Sequence, residues 1–260
     1  MLTIFGILSK SDFIQTVRSL LLWPNWRGKW ILGRHACLGR DVFKLTDIHY
    51  PIFNIQKGRV DYFTSAAIKS NKRTHTVNLS KYLNRKDIIP FFRQQEYIHK
   101  LPKNPPILVY MDSYSELVDH YFQKKGEDWG GCCCYSDINH SEKFKEQFNE
   151  MGLIKINDLE FAYRSFFNQI RQKYGEIPII FLHFPMQLEK RAKYIERGKA
   201  IFTIIESLAT EYESIYSISI NESIVFKPST VIAELEEFPY HYNSQTYIEF
   251  SKIIKNLTIN

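Results

Sequence analysis

Short apolar runs alternate along this chain with longer segments in which apolar residues recur every three or four positions. Short runs of this kind predict buried strands, and the longer segments predict amphipathic helices. We expect strands near residues 30–33, 59–64, 106–111, 177–183 and 215–220. We expect helices over residues 9–22, 87–99, 157–175, 193–212 and 244–257, the last of them capped by Asn243.

Strands that alternate with helices form right-handed βαβ units, which build a parallel sheet with helices on both faces. The predicted fold class is therefore α/β: a three-layer αβα, flavodoxin-like fold with a mostly parallel five-stranded sheet. Residues 125–140 predict a loop, and Ser141 is placed to cap a short helix that Gly152 ends. No linker divides the chain, so residues 1–260 are expected to form one domain, with residues 1–25 as an added N-terminal element.

Composition supports a folded domain with a substantial core. Of the 260 residues, 44% are hydrophobic and 15% are aromatic, which excludes a disordered chain. The net charge of +6 is spread along the chain, whereas nucleic-acid binding needs a dense basic stripe. We therefore expect no nucleic-acid partner, and weak peripheral contact with an anionic membrane face stays open as an alternative.

The cysteines and the start of the chain bear on the compartment. The chain has Cys37 and a run of three, Cys132, Cys133 and Cys134, which suits neither a disulfide framework nor metal-ligand spacing. The apolar start lacks the preceding positive charge of a secretory signal, and no apolar run is long enough to span a bilayer. These features favour a reduced, cytoplasmic protein without a bound metal.

Polar residues crowd three loops that the predicted fold places at the carboxyl edge of the sheet, where open α/β sheets hold their sites. The first loop contains His35, Cys37, Arg40 and Asp41; the second contains Asp112, Ser113, Tyr114, Ser115 and Glu116; the third covers residues 236–243 and contains His241.

The order and spacing of these loops resemble the SGNH (GDSL) hydrolase superfamily. The closest motif is Pro239-Tyr240-His241-Tyr242-Asn243 ahead of a final helix, and residues 36–43 resemble the Ser-Cys-Val-Ser-Arg-Asp block of some bacterial SGNH-like proteins linked to surface polysaccharides. The nucleophile loop departs from the family pattern because Ala36, or His35 by plain Gly-Asp-Ser counting, stands where the family has serine. Phe238 stands where the family has the triad acid.

The resemblance implies acyl-transfer chemistry with substituted residues. Cys37 is the candidate nucleophile because a thiolate is intrinsically reactive, and Ser113 is the alternative. His241 would be the general base, with Glu236 or Glu237 to orient it. Oxyanion or substrate contacts would come from Arg40, Asp112 and Tyr114. The simpler interpretations also stand: a small buried thiol for Cys37, and a turn residue for Ser113.

The function that this resemblance implies is an esterase or O-acyltransferase acting on a carbohydrate, in capsule or lipopolysaccharide biosynthesis. It would need no bound cofactor, and an acyl donor such as acetyl-CoA would be a co-substrate. The rival hypothesis is a non-catalytic SGNH-like protein that binds a carbohydrate or a partner. A sugar-nucleotide glycosyltransferase is a third hypothesis, without the support of an Asp-x-Asp or a glycine-rich nucleotide motif.

Overall fold

A computed structural model describes residues 26–68, 75–228 and 239–257 of the chain. Its strands are β1 (Ile31–Arg34), β2 (Ile52–Asn54), β3 (Leu108–Asp112), β4 (Asp119–Lys124), β5 (Gly130–Cys134), β6 (Phe148–Gly152), β7 (Ile179–Leu182) and β8 (Ile215–Ile218). Its α-helices are α1 (Cys37–Phe43), α2 (Val60–Ile68), α3 (His75–Ser80), α4 (Ile89–Arg93), α5 (Tyr114–Val118), α6 (Glu142–Gln147), α7 (Ile156–Tyr174), α8 (Ala192–Glu211) and α9 (Ser244–Lys255).

Five strands form one parallel sheet in the order β2-β1-β3-β7-β8. All residues of the three inner strands are buried, as expected for strands covered on both faces. Helix α1 contacts α9, while α2 contacts α7 and α7 contacts α8. This arrangement confirms the α/β class, the mostly parallel five-stranded sheet and the three layers.

The predicted strand over residues 59–64 is wrong. Residues 60–68 form helix α2, in which Asp61 lies in the first turn and Phe63 packs edge-on against Phe166 of α7. The second strand along the chain is instead β2, which has only three residues, and of these Phe53 alone is fully buried. Such a short segment carries too little hydrophobic pattern to reveal a strand.

A second sheet, with the order β5-β4-β6, is antiparallel and lies in the chain between α5 and α7. The prediction of a loop over residues 125–140 is therefore wrong for β5, and the short helix from Ser141 ends at Gln147 rather than at Gly152. The sequence of β5, Gly-Gly-Cys-Cys-Cys, lacks the β-branched residues that favour strands. The first of its two glycines, Gly130, is required sterically, because a Cβ at that position would lie 2.1 Å from the carbonyl oxygen of Phe122.

The other predicted helices that fall within the described residues follow the predicted pattern with one exception. Residues 87–99 are divided into a 3₁₀ turn, the short helix α4 and a second 3₁₀ segment. Helix α7 ends at Gly175, whose φ of 83° lies in the left-handed region that glycine favours, and Asn243 is the N-cap of α9.

Several expectations lie outside the described residues: the helix over residues 9–22, the acidic residues Glu236 and Glu237, and Phe238. The expectation of a single domain stays a prediction. Among the described helices, none has both the length and the apolar character needed to cross a bilayer.

Candidate functional site

The strand order places a crevice between the carboxyl ends of β1 and β3. β2 lies on one side of β1. The strands that come later in the chain, β3, β7 and β8, lie in that order on the other side of β1. Open α/β sheets bind ligands where the strand order reverses in this way. The first two predicted loops, residues 35–41 and 112–116, lie at the carboxyl ends of these two strands.

Asp112, the last residue of β3, ties these two loops together. Its Oδ2 accepts hydrogen bonds from the backbone N–H groups of Ala36, at 2.8 Å, and Gly39, at 3.2 Å, while Oδ1 accepts one from Tyr114 at 3.1 Å. The side chain is 1% exposed. Burial raises the pKa of Asp112 to about 7, although the three N–H groups and the charge of Arg34 oppose that shift.

Cys37 is the first residue of α1 and is half-buried. Its Sγ lies 3.5 Å from the carbonyl oxygen of Tyr240, to which the thiol donates. Burial and the charge of Asp112 raise the pKa of Cys37 to about 12, and Arg40 opposes this only in part. The resting thiol is therefore protonated at neutral pH.

His241 follows Tyr240 and is half-buried beside the start of α1. Burial lowers the pKa of His241, an effect that Asp41 opposes and Arg40 reinforces. Arg40 forms a two-pronged ion pair with Asp41, at 3.0 and 3.2 Å, on the same helix. His241 is therefore a neutral imidazole at pH 7, the form that can accept a proton.

Ser113 and Tyr114 lie next to Asp112 but are packed inward. The Ser113 hydroxyl is buried and accepts a hydrogen bond from the backbone N–H of Phe184 at 3.2 Å. The Tyr114 ring lies 5.7 Å from that of Phe184 and 6.1 Å from that of Tyr240. Asp112 thus contacts the turn on either side of Cys37, and Cys37 contacts Tyr240, the residue before His241, while Arg40 lies on the same helix as Cys37 and both Ser113 and Tyr114 are packed inward.

His35, which stands at the serine position by plain counting, is buried against the ring of Tyr110. Its Nδ1 is 3.1 Å from the carbonyl oxygen of Ala36, and burial lowers its pKa to about 4. A neutral, enclosed imidazole of this kind is a packing residue rather than a group that reaches substrate.

A buried carboxylate that sequence reasoning missed supports the third loop. Glu189 accepts hydrogen bonds from the Tyr240 hydroxyl at 2.7 Å and from two nitrogens of Arg191, at 2.7 and 2.6 Å. Burial alone would raise its pKa, but these bonds outweigh burial and lower the pKa of Glu189 to about 2. In the sequence, Glu-Lys-Arg at 189–191 has the composition of any charged loop, so no signal distinguished it.

A second missed cluster lies behind Tyr114. The Lys57 ammonium donates to Asp119 at 3.1 Å, to Asp137 at 3.2 Å and to the Sγ of Cys134 at 3.3 Å. The side chains of Lys57, Asp119 and Asp137 are all buried. The Tyr114 hydroxyl lies 3.4 Å from the same sulfur. The cluster joins β5 and the following turn to Tyr114.

The cysteine run lies on β5, where successive side chains point to opposite faces of the sheet. Across residues 26–68, 75–228 and 239–257, no three His, Cys, Asp or Glu side chains converge as a metal site would require. The expectation that the protein holds no metal stays a prediction.

No model of a known protein family matches the sequence, and no curated protein matches it. Among solved structures, the chain is similar to the salicylyl-acyltransferase SsfX3 from a tetracycline biosynthetic pathway, with a TM-score of 0.36 and 9% sequence identity. The match covers 91% of this chain but only 57% of SsfX3. A likeness this distant says nothing about the chemistry of the present crevice.

Proposed function

We propose that this protein is an acyl-transfer enzyme of the SGNH type, an esterase or O-acyltransferase, with Cys37 as nucleophile and His241 as general base. One observation carries the proposal: the Sγ of Cys37 contacts the carbonyl of Tyr240, 203 residues away in the chain. That contact brings the loop that carries His241 onto the first turn of α1, at the reversal point of the sheet.

The proposed reaction begins when the neutral His241 imidazole takes the proton of the Cys37 thiol as the sulfur attacks the acyl carbon. The donor's alcohol or thiol then leaves, taking that proton from His241, and the acyl group remains on the sulfur as a thioester. Water or a sugar hydroxyl, deprotonated by His241, attacks the thioester, and the departing Cys37 sulfur takes that proton from His241, which restores the resting thiol. Asp112 already occupies the N–H groups of Ala36 and Gly39, so the oxyanion would accept from the N–H of Leu38.

The substrate is proposed on the resemblance to SGNH-like proteins rather than on contacts. A carbohydrate of the bacterial surface, such as capsule or lipopolysaccharide, would accept the acyl group, and acetyl-CoA would donate it. Arg40 at the rim would contact the substrate. A cytoplasmic location, with weak contact to an anionic membrane face, belongs to the same proposal.

Two observations favour the second candidate function, a non-catalytic SGNH-like protein that binds a carbohydrate or a partner. The pKa of the Cys37 thiol is raised to about 12, and the Ser113 hydroxyl is already engaged by the N–H of Phe184. Neither candidate nucleophile is therefore activated in the resting structure. A protein that only binds its ligand does not need an activated nucleophile.

The test is the release or transfer of an acyl group from 4-nitrophenyl acetate and from acetyl-CoA. We expect His241→Ala and Cys37→Ser to lower turnover by about two powers of ten or more, as the loss of a general base or nucleophile does. His49→Ala is the matched control because His49 is exposed and precedes β2, at the amino edge of the sheet, whereas the crevice loops lie at its carboxyl edge. Mass spectrometry of the quenched reaction should find the acyl group on the peptide that contains Cys37.

Ser113→Ala separates the two nucleophiles and should retain most of the activity. Turnover that survives in both the Cys37→Ser and His241→Ala variants would refute the catalytic proposal. Failure of the wild type to consume either donor, together with saturable glycan binding that His241→Ala weakens, would establish the binding function instead.

A further inference from the structure

A cavity of about 80 Å³ lies between β1, helices α2 and α7, and the 3₁₀ segment that follows α4. The candidate site is built on α1 and α9, which pack together, whereas this cavity lies at the separate pair of α2 and α7. Its walls are apolar: Leu32, Phe63, Leu101, Phe166 and Ile170. The cavity therefore lies at a different helix pair from the candidate site, and Arg34 at the end of β1 borders the cavity while its charge also acts on Asp112.

Arg34 lines this cavity, and one of its N–H donors has no acceptor among the described residues. Its side chain is 2% exposed, its Nε donates to the carbonyl oxygen of Gly58 at 3.2 Å, and its Nη2 forms an ion pair with Glu116. Its Nη1 is buried and has no hydrogen-bond partner among the described residues. A buried donor without an acceptor costs about 1–3 kcal/mol, so an acceptor inside the cavity would be stabilising.

Lys173 supplies positive charge where the cavity opens. It lines the cavity, its side chain is exposed, and its Nζ lies 4.8 Å from the centre of the Tyr174 ring. No Asp or Glu of the described residues pairs with it, whereas Arg34 is balanced by Glu116. The local charge therefore favours an anion, and the apolar walls favour one with an alkyl group.

The size of the cavity sets the size of the ligand. A cavity of about 150 Å³ takes up benzene, and a water molecule occupies about 30 Å³ in the liquid. We propose that this cavity binds a short-chain carboxylate of about two to four carbon atoms. Its carboxylate accepts a hydrogen bond from Nη1 of Arg34, its alkyl group contacts Phe63 and Phe166, and Lys173 attracts the anion at the opening.

The probe is propionate, with propionamide as its uncharged counterpart, titrated by calorimetry and by ligand-observed NMR. We expect saturable binding of propionate with a dissociation constant on the order of millimolar, typical of so small a ligand. Propionamide should bind at least about tenfold more weakly because it carries no charge. Added salt should weaken the binding of propionate but not that of propionamide.

Three variants and one control locate the site without touching the catalytic residues. Lys173→Met should raise the dissociation constant of propionate by about threefold or more, while Lys199→Met, at an exposed lysine of α8, should leave it unchanged. Leu101→Phe fills the cavity and should abolish binding. Arg34→Gln should do the same, but it also breaks the ion pair with Glu116, so its folding must be checked by circular dichroism.

Three results would overturn the proposal. The first is the absence of saturable binding, which would leave water as the occupant of the cavity. The second is equal affinity for propionate and propionamide. The third is propionate binding that Leu101→Phe leaves intact. None of these outcomes depends on acyl transfer, because His241→Ala should bind propionate as the wild type does.

Discussion

The carboxylate of Asp112 holds the backbone N–H of Ala36 at 2.8 Å, across the gap between the ends of β3 and β1. Through this bond the last residue of one central strand fixes the turn that leads from its neighbour into α1. Asp112 is 76 residues beyond Ala36 in the chain, and the position of Cys37, which follows Ala36, therefore depends on this distant side chain.

The raised pKa of Asp112 predicts a pH dependence of stability. In the folded chain its pKa is about 7, against an ordinary value of 3.8. The stability that this group contributes is therefore fully present below about pH 4 and is lost as the pH rises through about 7, a change of a few kcal/mol. Urea unfolding of the wild type between pH 4.5 and 8, values chosen to bracket roughly this window, should show the loss.

Asp112→Asn should remove this pH dependence, because the amide does not titrate. Its unfolding free energy should also fall by about 1–3 kcal/mol, since an NH₂ group now faces one of the N–H donors. Asp87→Asn, at a half-exposed carboxylate paired with Arg85, is the matched control and should leave the slope across this pH range unchanged. A wild-type slope that persists in Asp112→Asn would assign the titration to another group.

The pH profile of acyl transfer should report His241. Burial lowers the pKa of this imidazole below its ordinary value of 6.5. Activity should therefore be high at neutral pH and should decline on acidification only below pH 6.5, as His241 becomes protonated and can no longer accept a proton. His241→Gln should lose most of its activity along with this acidic limb, and an unchanged limb in that variant would exclude His241 as the base.

Thiol reactivity should divide the cysteines into two pairs. All four are free thiols, with Cys132 and Cys133 buried and Cys37 and Cys134 half-buried. In the native protein we expect slow alkylation by iodoacetamide at neutral pH, because burial raises the pKa of Cys37 and of Cys134 to about 12. Labelling should accelerate as the pH rises and should reach Cys37 and Cys134 first.

Peptide mapping after alkylation provides the measurement, and denaturation without reductant should expose four thiols. The Cys134→Ala variant is the control for assigning inactivation to Cys37. Rapid labelling of native Cys37 at pH 7 would show that its thiolate is more accessible than the structure indicates. Recovery of only two thiols after denaturation would contradict the reduced state.

Truncation of Glu116 should be strongly destabilising. This carboxylate, which is fully buried, pairs with Arg34 and also accepts from the N–H of Val60 at 2.9 Å and the hydroxyl of Tyr163 at 3.1 Å. Glu116→Ala should cost about 3–5 kcal/mol in urea unfolding because it leaves a buried guanidinium uncompensated. Glu249→Ala, which breaks an exposed pair on α9, should cost no more than about 1 kcal/mol.

The elements that the sequence predicts well are those with long or fully buried apolar patterns. β3 and β7 are runs of buried residues bounded by proline, and the periodic faces of α7 and α8 span several turns. β2 escaped prediction because it has three residues and one buried side chain, and β5 because its Gly-Gly-Cys-Cys-Cys run suggests a turn. The local sequence pattern cannot reveal a strand that forms only because a neighbouring strand pairs with it.

The candidate site divides in the same way. Its place at the sheet edge follows from strands and loops, so the sequence could predict that the loop of Cys37 lies beside Asp112, while the roles proposed for Cys37 and His241 stay predictions. Three features could not be predicted, because each depends on residues that only folding brings together. They are the acceptor role of Asp112, the contact between Cys37 and Tyr240, and the hydrogen bond from Tyr240 to Glu189.

The contact between Cys37 and Tyr240 also has a consequence for synthesis of the chain. The two residues are 203 positions apart, and a ribosome adds about 5–20 residues per second. For about 10–40 seconds after Cys37 is made, the carbonyl that will engage its thiol does not yet exist. During that interval the N-terminal part of the nascent chain presents an uncovered thiol, so chemical damage at Cys37 should fall most heavily on chains still being translated.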